Sequence, residues 1–187
     1  MAKAAKPVPT VLPLVLDFDG TLQRDDLSKL ALAWLWQTAP LRAIWVIVQG
    51  AIKGRPSAKL AMEEVAFHHN FMPKLRWNTA LIKAAKASKQ PVLVATGSPE
   101  RWVAALLHEA KLHWPVLGTT AQSGNFIGKT KAKALIKAYG KHGFDYAGNS
   151  RADLAVWQAC RHAWIVDSKG KLTKRAAKRA PVKKVFA

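Results

Sequence analysis

The chain has 187 residues, half of them apolar, which is enough for one domain with a real core and too few for two full domains. Its single cysteine, Cys160, excludes an intrachain disulfide and fits a reducing compartment. Thirty Lys and Arg against eleven Asp and Glu give a net charge of +19 and a pI near 10.4, a surface that attracts phosphates, nucleic acid or an anionic membrane leaflet without choosing among them.

Residues 1–10 hold Lys and Pro but no long apolar run ahead of a small-residue cleavage site. A flexible N-terminus without a secretory signal is expected, and with it a cytoplasmic location. Val11 to Phe18 is β-branched and Leu-rich, the pattern of a strand buried on both faces at the centre of a parallel sheet. Asp26 or Ser28 can start a helix through Gln37, Pro40 can restart one to Ala51, and Gly54-Arg55-Pro56 breaks it. Ser57 can cap a third helix to about His68, and Pro73 sits near the start of a fourth that runs to about Lys89. The apolar stretch Leu27 to Ile52 is interrupted by Gln37, Thr38, Pro40, Arg42 and Gln49, so its pieces fall short of the roughly 20 residues a spanning helix needs.

From Pro91 strands and helices alternate. Pro91 to Ala95 is a short apolar strand, Ser98-Pro99 opens a helix to about Lys111, and Val116 to Gly118 is a weaker strand. Lys129 to Tyr139 is a helix stopped by Gly140, Phe144 to Ala147 a strand, Arg151 to Cys160 helical, and Ala163 to Val166 the last strand. Such alternation predicts an α/β fold, a doubly wound three-layer parallel sheet with right-handed crossovers. The expected organisation is a flexible N-terminus (1–10), a core (11–22 and 90–167), a helical insertion with its return helix (23–89) and a mobile basic tail (168–187).

In an open parallel sheet, ligands bind beyond the carboxyl ends of the strands. The residues there are Asp17 and Asp19, then Thr96-Gly97-Ser98, then Gly148-Asn149-Ser150 with Asp153. These are the polar groups a phosphate site needs, and three of the chain's eleven acids fall among them.

Asp17-Phe18-Asp19-Gly20-Thr21-Leu22 resembles the first motif of haloacid dehalogenase (HAD) superfamily phosphatases, and Thr96-Gly97-Ser98 the second. Lys129 in Gly128-Lys129-Thr130 is similar to the third motif, and Gly148-Asn149-Ser150-Arg151-Ala152-Asp153 to the fourth, in order from about Val11 to Val166. The resemblance implies a Rossmann-like fold, a small helical cap formed by the insertion between the first two motifs (23–89), and a phosphomonoester hydrolase working through an aspartyl-phosphate. Asp17 would be the nucleophile, Asp19 the general acid and base, and Thr96, Gly97, Ser98 and Lys129 the holders of the phosphate. Mg²⁺ would be held by Asp17, the Asp19 carbonyl oxygen and Asp153 or Asn149. Asn149 departs from the pattern, since an Asp usually follows that Gly; an amide oxygen brings no charge. The run from Asp145 to Trp157 is also similar to the HAD-like portion fused ahead of membrane prenyltransferases, which implies a prenyl or other lipid-linked phosphate as substrate. A Trp-rich helix pair beside many cations suits peripheral contact with an anionic membrane face.

Other readings share these residues. A DxD can be a turn and helix cap, and Lys129 can be one more surface lysine. Gly128-Lys129-Thr130 mimics the end of a P-loop, but Ser123 stands where that loop needs glycine. A non-catalytic HAD-like module that binds membrane or nucleic acid, and a phosphotransferase or mutase, remain functional alternatives.

Overall fold

The structure, a computed structural model, describes residues 11–167 and 169–187; the expectation for residues 1–10 lies outside them. The elements alternate as the apolar runs predict. Strand β1 (Leu14–Leu16) is followed by α1 (Leu27–Thr38), α2 (Pro40–Lys53), α3 (Arg55–His68) and α4 (Thr79–Ala87). Then come β2 (Val92–Pro99), α5 (Glu100–Glu109), β3 (Val116–Thr119), α6 (Gly128–Tyr139), β4 (Asp145–Gly148), α7 (Leu154–Trp157), β5 (Ala163–Val166), α8 (Lys171–Ala177) and β6 (Val182–Phe186).

All six strands run parallel, in the order β3-β2-β1-β4-β5-β6. The chain winds outward from β1 in one direction and then in the other, so β1 sits at the switch point where a doubly wound sheet opens a crevice. The pleat divides its side chains between two cores: Leu14 and Leu16 face one, Val15 the other. Trp164 of β5 joins the first core and Ala163 and Ile165 the second. Helices α1–α5 cover the first face and α6–α8 the second, which gives the three layers.

Several local signals act differently from their sequence reading. Asp26 caps α1, its side chain accepting from the Lys29 amide, and Pro40 occupies the first turn of α2. Ser57 does not cap α3; Gly54 does, with φ of 86°, a left-handed backbone that favours glycine. Pro73 lies in a loop, and α4 begins only after Asn78, whose side chain accepts from the Leu81 amide. The helical run from Arg151 is a 3₁₀ turn followed by the short α7.

The basic tail corrects the expectation of a mobile segment. Residues 182–186 form β6, paired with β5. Phe186 stacks on Trp164 with ring centroids 6.0 Å apart, and the Lys184 ammonium lies 4.8 Å from the Trp164 ring centroid. Apolar and cation–π contacts thus hold a lysine-rich strand on the sheet edge despite its charge.

Candidate active site

The end of β1 places Asp17 at the floor of a cavity of about 510 Å³, which Asp19, Gly97, Ser98, Lys131, Asn149 and Asp153 also line. Asp17 Oδ1 accepts from the Lys131 ammonium at 2.7 Å and Oδ2 from the Thr21 hydroxyl at 3.2 Å. Lys131 continues to Tyr146, donating to its hydroxyl at 3.0 Å, and that hydroxyl donates to Asp153 Oδ1 at 2.7 Å. A continuous polar chain therefore links Asp17, Lys131, Tyr146 and Asp153 across the carboxyl ends of β1 and β4.

The lysine beside Asp17 is Lys131, not the sequence-predicted Lys129. Lys129 is exposed, whereas Lys131 is only 3% exposed. Positions two apart on a helix lie about 200° apart around its axis, so α6 cannot turn both lysines to one site. The signal that finds Lys131 is its register with Leu135, one turn later, which is fully buried.

Burial drives the Asp17 carboxyl up, to about 7; Lys131 opposes the shift and the nearby Asp153 and Asp19 carboxylates add to it. Asp19 is also raised, chiefly by burial. Its side chain accepts from the Ser98 hydroxyl at 2.6 Å, the Leu27 amide at 2.8 Å and the Gln23 amide group at 3.1 Å. Ser98 therefore does not cap α5, whose N-cap is Pro99; its hydroxyl is committed to Asp19. Thr96 is fully buried, and its hydroxyl accepts from the Ser98 amide at 3.0 Å, bending β2 at the cavity. A Cβ on Gly97 would lie 2.4 Å from Ile127 Cγ2, so this approach admits only glycine without displacement.

Sequence reading missed Lys59. It comes from α3, in the inserted segment, and donates to the Gly97 carbonyl at 2.5 Å, beside the Thr96-Gly97-Ser98 turn. Burial lowers its pKa. No motif marks it, because the contact spans 38 residues and depends on how α3 packs on the sheet.

The oxygen donors suit a hard divalent cation such as Mg²⁺. The carboxyls of Asp17, Asp19 and Asp153 line one cavity, and such an ion would offset their mutual repulsion. Among the described residues no three acids or histidines converge in metal-binding geometry. The complement to Asp17 and Asp153 would then be neutral: the Asp19 carbonyl, the Asn149 amide oxygen and water. Asp153 Oδ2 already accepts from the Asn149 and Ser150 amides and the Ser150 hydroxyl, at 2.8–3.1 Å. Among the described residues its Oδ1 accepts only from Tyr146, which leaves a lone pair for a ligand.

No protein-family model matches the chain. An uncharacterized protein of Sinorhizobium fredii is 27% identical over 156 residues, 83% of this chain; the chain spans about 30% of that relative's length. Among solved structures, a protein of unknown function from Bordetella pertussis superposes with a TM-score of 0.64 at 13% identity, over 95% of this chain and 99% of its own. A phosphoserine phosphatase in apo form gives 0.58 at 12% identity, over 95% and 94%. A haloacid dehalogenase-like family hydrolase from Streptococcus pneumoniae gives 0.55 at 11%, over 94% and 93%. With the parallel sheet and its strand order, these likenesses show that the chain has the α/β Rossmann-like fold of the haloacid dehalogenase-like hydrolases.

Proposed function

We propose that the chain is a Mg²⁺-dependent phosphomonoester hydrolase that works through an aspartyl-phosphate on Asp17. The observation that carries this reading is the buried Asp17–Lys131 pair at the carboxyl end of the central strand, inside a cavity shared with Asp19 and Asp153. An Asp17 carboxylate oxygen attacks phosphorus, and the bond from phosphorus to the ester oxygen breaks. Asp19, whose pKa burial raises, gives its proton to the leaving alkoxide. The Asp19 carboxylate then takes a proton from water as that water attacks the aspartyl-phosphate, which frees phosphate and restores Asp17. Lys131 and the main chain at Gly97 hold the phosphoryl oxygens. Tyr146 holds Asp153 in place and stays protonated, its pKa raised by burial. Bound Mg²⁺ would neutralise charge between the anionic nucleophile and its anionic substrate.

The deciding experiment is phosphate release across a phosphomonoester panel with Mg²⁺. Turnover is expected in the native protein, abolished in Asp17→Asn and severely reduced in Asp19→Asn. Full turnover in Asp17→Asn would falsify the covalent mechanism.

A lipid-linked phosphate is the substrate class that α2 favours, because this helix is inside out. Ala43, Val46 and Gly50 face inward, and Gly50 packs directly against Ala58 of α3. Leu41, Ile44, Trp45, Val48 and Ile52, at helical spacing, form the exposed stripe, with Leu41 81% and Ile52 75% exposed. No acid occurs from Leu27 to Met62, while Lys29, Arg42, Lys53, Arg55 and Lys59 do. No helix among the described residues is long and apolar enough to cross a membrane. An apolar stripe flanked by cations suits the interface of an anionic bilayer. Flotation with phosphatidylglycerol vesicles at low salt is expected to carry the protein upward, and Trp45→Ser with Leu41→Ser to release it. Native protein left at the bottom of the gradient removes the membrane reading and leaves the hydrolase reading intact.

A further inference from the structure

We infer that the reactive cavity continues into a second, cationic pocket that takes another phosphate group of the same substrate molecule, an inference that rests on the hydrolase reading. The second pocket, of about 480 Å³, is lined by Arg24, Arg151, Lys169, Lys171 and Arg175. It shares Gly20, Arg24 and Asn149 with the reactive cavity, so the two are contiguous.

Three properties separate this pocket from ordinary surface charge. The cations come from different parts of the fold: Arg24 from the loop after β1, Arg151 from the turn after β4, and the other three from the segment after β5. Chain topology, and not one basic helix face, brings them together. Lys171 and Arg175 are one turn apart on α8 and so lie on one side of it. Next, among the described residues none of the five forms an ion pair with a carboxylate side chain. Arg24 donates to the Ala187 carbonyl oxygen at 3.2 Å.

Finally, the one acidic side chain in the lining, Asp167, is already committed. Its Oδ2 accepts from the Leu172 and Thr173 amides at 2.7 and 2.8 Å and from the Thr173 hydroxyl at 3.1 Å, and Oδ1 accepts from the Lys169 amide at 3.2 Å. Five cations converge around a single carboxylate whose oxygens are already hydrogen-bonded, and an anion with several oxygens would relieve the remaining repulsion. Because the pocket opens at Gly20 and Asn149, beside Asp17, a substrate with two phosphates can place one over Asp17 and the other among the arginines and lysines.

The test uses the full chain and two series of probes, the bisphosphates of straight-chain α,ω-diols from three to eight carbons and the matching monophosphates. At physiological salt, kcat/KM is expected to favour the bisphosphate by about tenfold or more at one best spacer length. Lys171→Ala with Arg175→Ala is expected to bring that ratio within about threefold while leaving monophosphate turnover unchanged. The exposed α6 pair Lys133→Ala with Lys137→Ala serves as a charge-matched control and is expected to keep the preference. Monophosphate turnover with no bisphosphate preference overturns the pocket and leaves the hydrolase reading standing. A preference independent of spacer length, or lost equally in the control, also overturns it, since overall charge would then account for it. Calorimetric titration of both series into Asp17→Asn reads the pocket even if no probe is turned over: tighter bisphosphate binding that depends on Lys171 and Arg175 supports it, and equal binding refutes it.

Discussion

The ammonium of Lys131 lies 2.7 Å from a carboxylate oxygen of Asp17, although 114 residues separate them in the chain. In the proposed mechanism this makes Lys131 the cation of the reactive centre. Lys131→Met is expected to lower kcat by about 10²- to 10³-fold, the scale of losing one charge-stabilising donor. Lys129→Ala should stay within about threefold. Steady-state phosphate release from both variants, with circular dichroism to confirm folding, checks the contrast; equal losses would refute the assignment.

Ser98 donates to Asp19 at 2.6 Å, and this hydrogen bond pulls the Asp19 pKa down against the upward effect of burial. Ser98→Ala removes the downward influence, so the Asp19 pKa rises. In the proposed mechanism Asp19 must be protonated for the first step, and the basic limb of kcat/KM reports that proton. The limb is expected to move to higher pH in Ser98→Ala; a pH–rate profile measures it, and an unmoved limb would separate Asp19 from the acid role.

Asn149 stands where the resembling motif carries a carboxylate. In Asn149→Asp the added charge is expected to lower the Mg²⁺ concentration for half-maximal rate by about tenfold, within the range that metal-site changes produce. A Mg²⁺ titration of initial rates reads it. An unchanged midpoint would remove residue 149 from the metal's surroundings.

Asp145 is fully buried and serves stability. Burial by itself would raise its pKa, but hydrogen bonds and charge from Arg161, with help from Gln90 and His162, leave it below its ordinary 3.8. Because the folded pKa is depressed, the stabilisation is complete above the unfolded value and is lost as pH falls through the folded one. Below about pH 4 this contribution is expected to fade. Asp145→Ala leaves no buried charge behind, since Arg161 is 38% exposed, so the cost is that of lost buried hydrogen bonds, about 1–3 kcal/mol. Urea unfolding at pH 7 and pH 3 checks both statements: the variant's deficit should shrink at the lower pH.

The strand-helix alternation and the positions of Asp17, Asp19 and Asp153 were legible in the chain because they are local. A buried parallel strand must be apolar on both faces, and the polar residues that follow it necessarily stand at its carboxyl end. Lys131 was partly legible, through its register with Leu135 on α6, but the Gly-Lys-Thr pattern drew attention to Lys129 on the other side of the helix. The role of Ser98 was hidden because a serine before a proline reads equally well as a helix cap, and only the proximity of Asp19 decides between them.

By itself, then, the order of residues determined the layers of this protein, the centre of its sheet and the acids at that centre, since backbone periodicity and apolar burial act over a few neighbouring positions. Tertiary structure settled which lysine meets Asp17, and it alone decided that Lys59 reaches the Gly97 carbonyl and that a strand rich in lysine closes the sheet beside Trp164. Those contacts join segments tens of residues apart, and their energy depends on distance through space, which charge and composition along the chain do not encode.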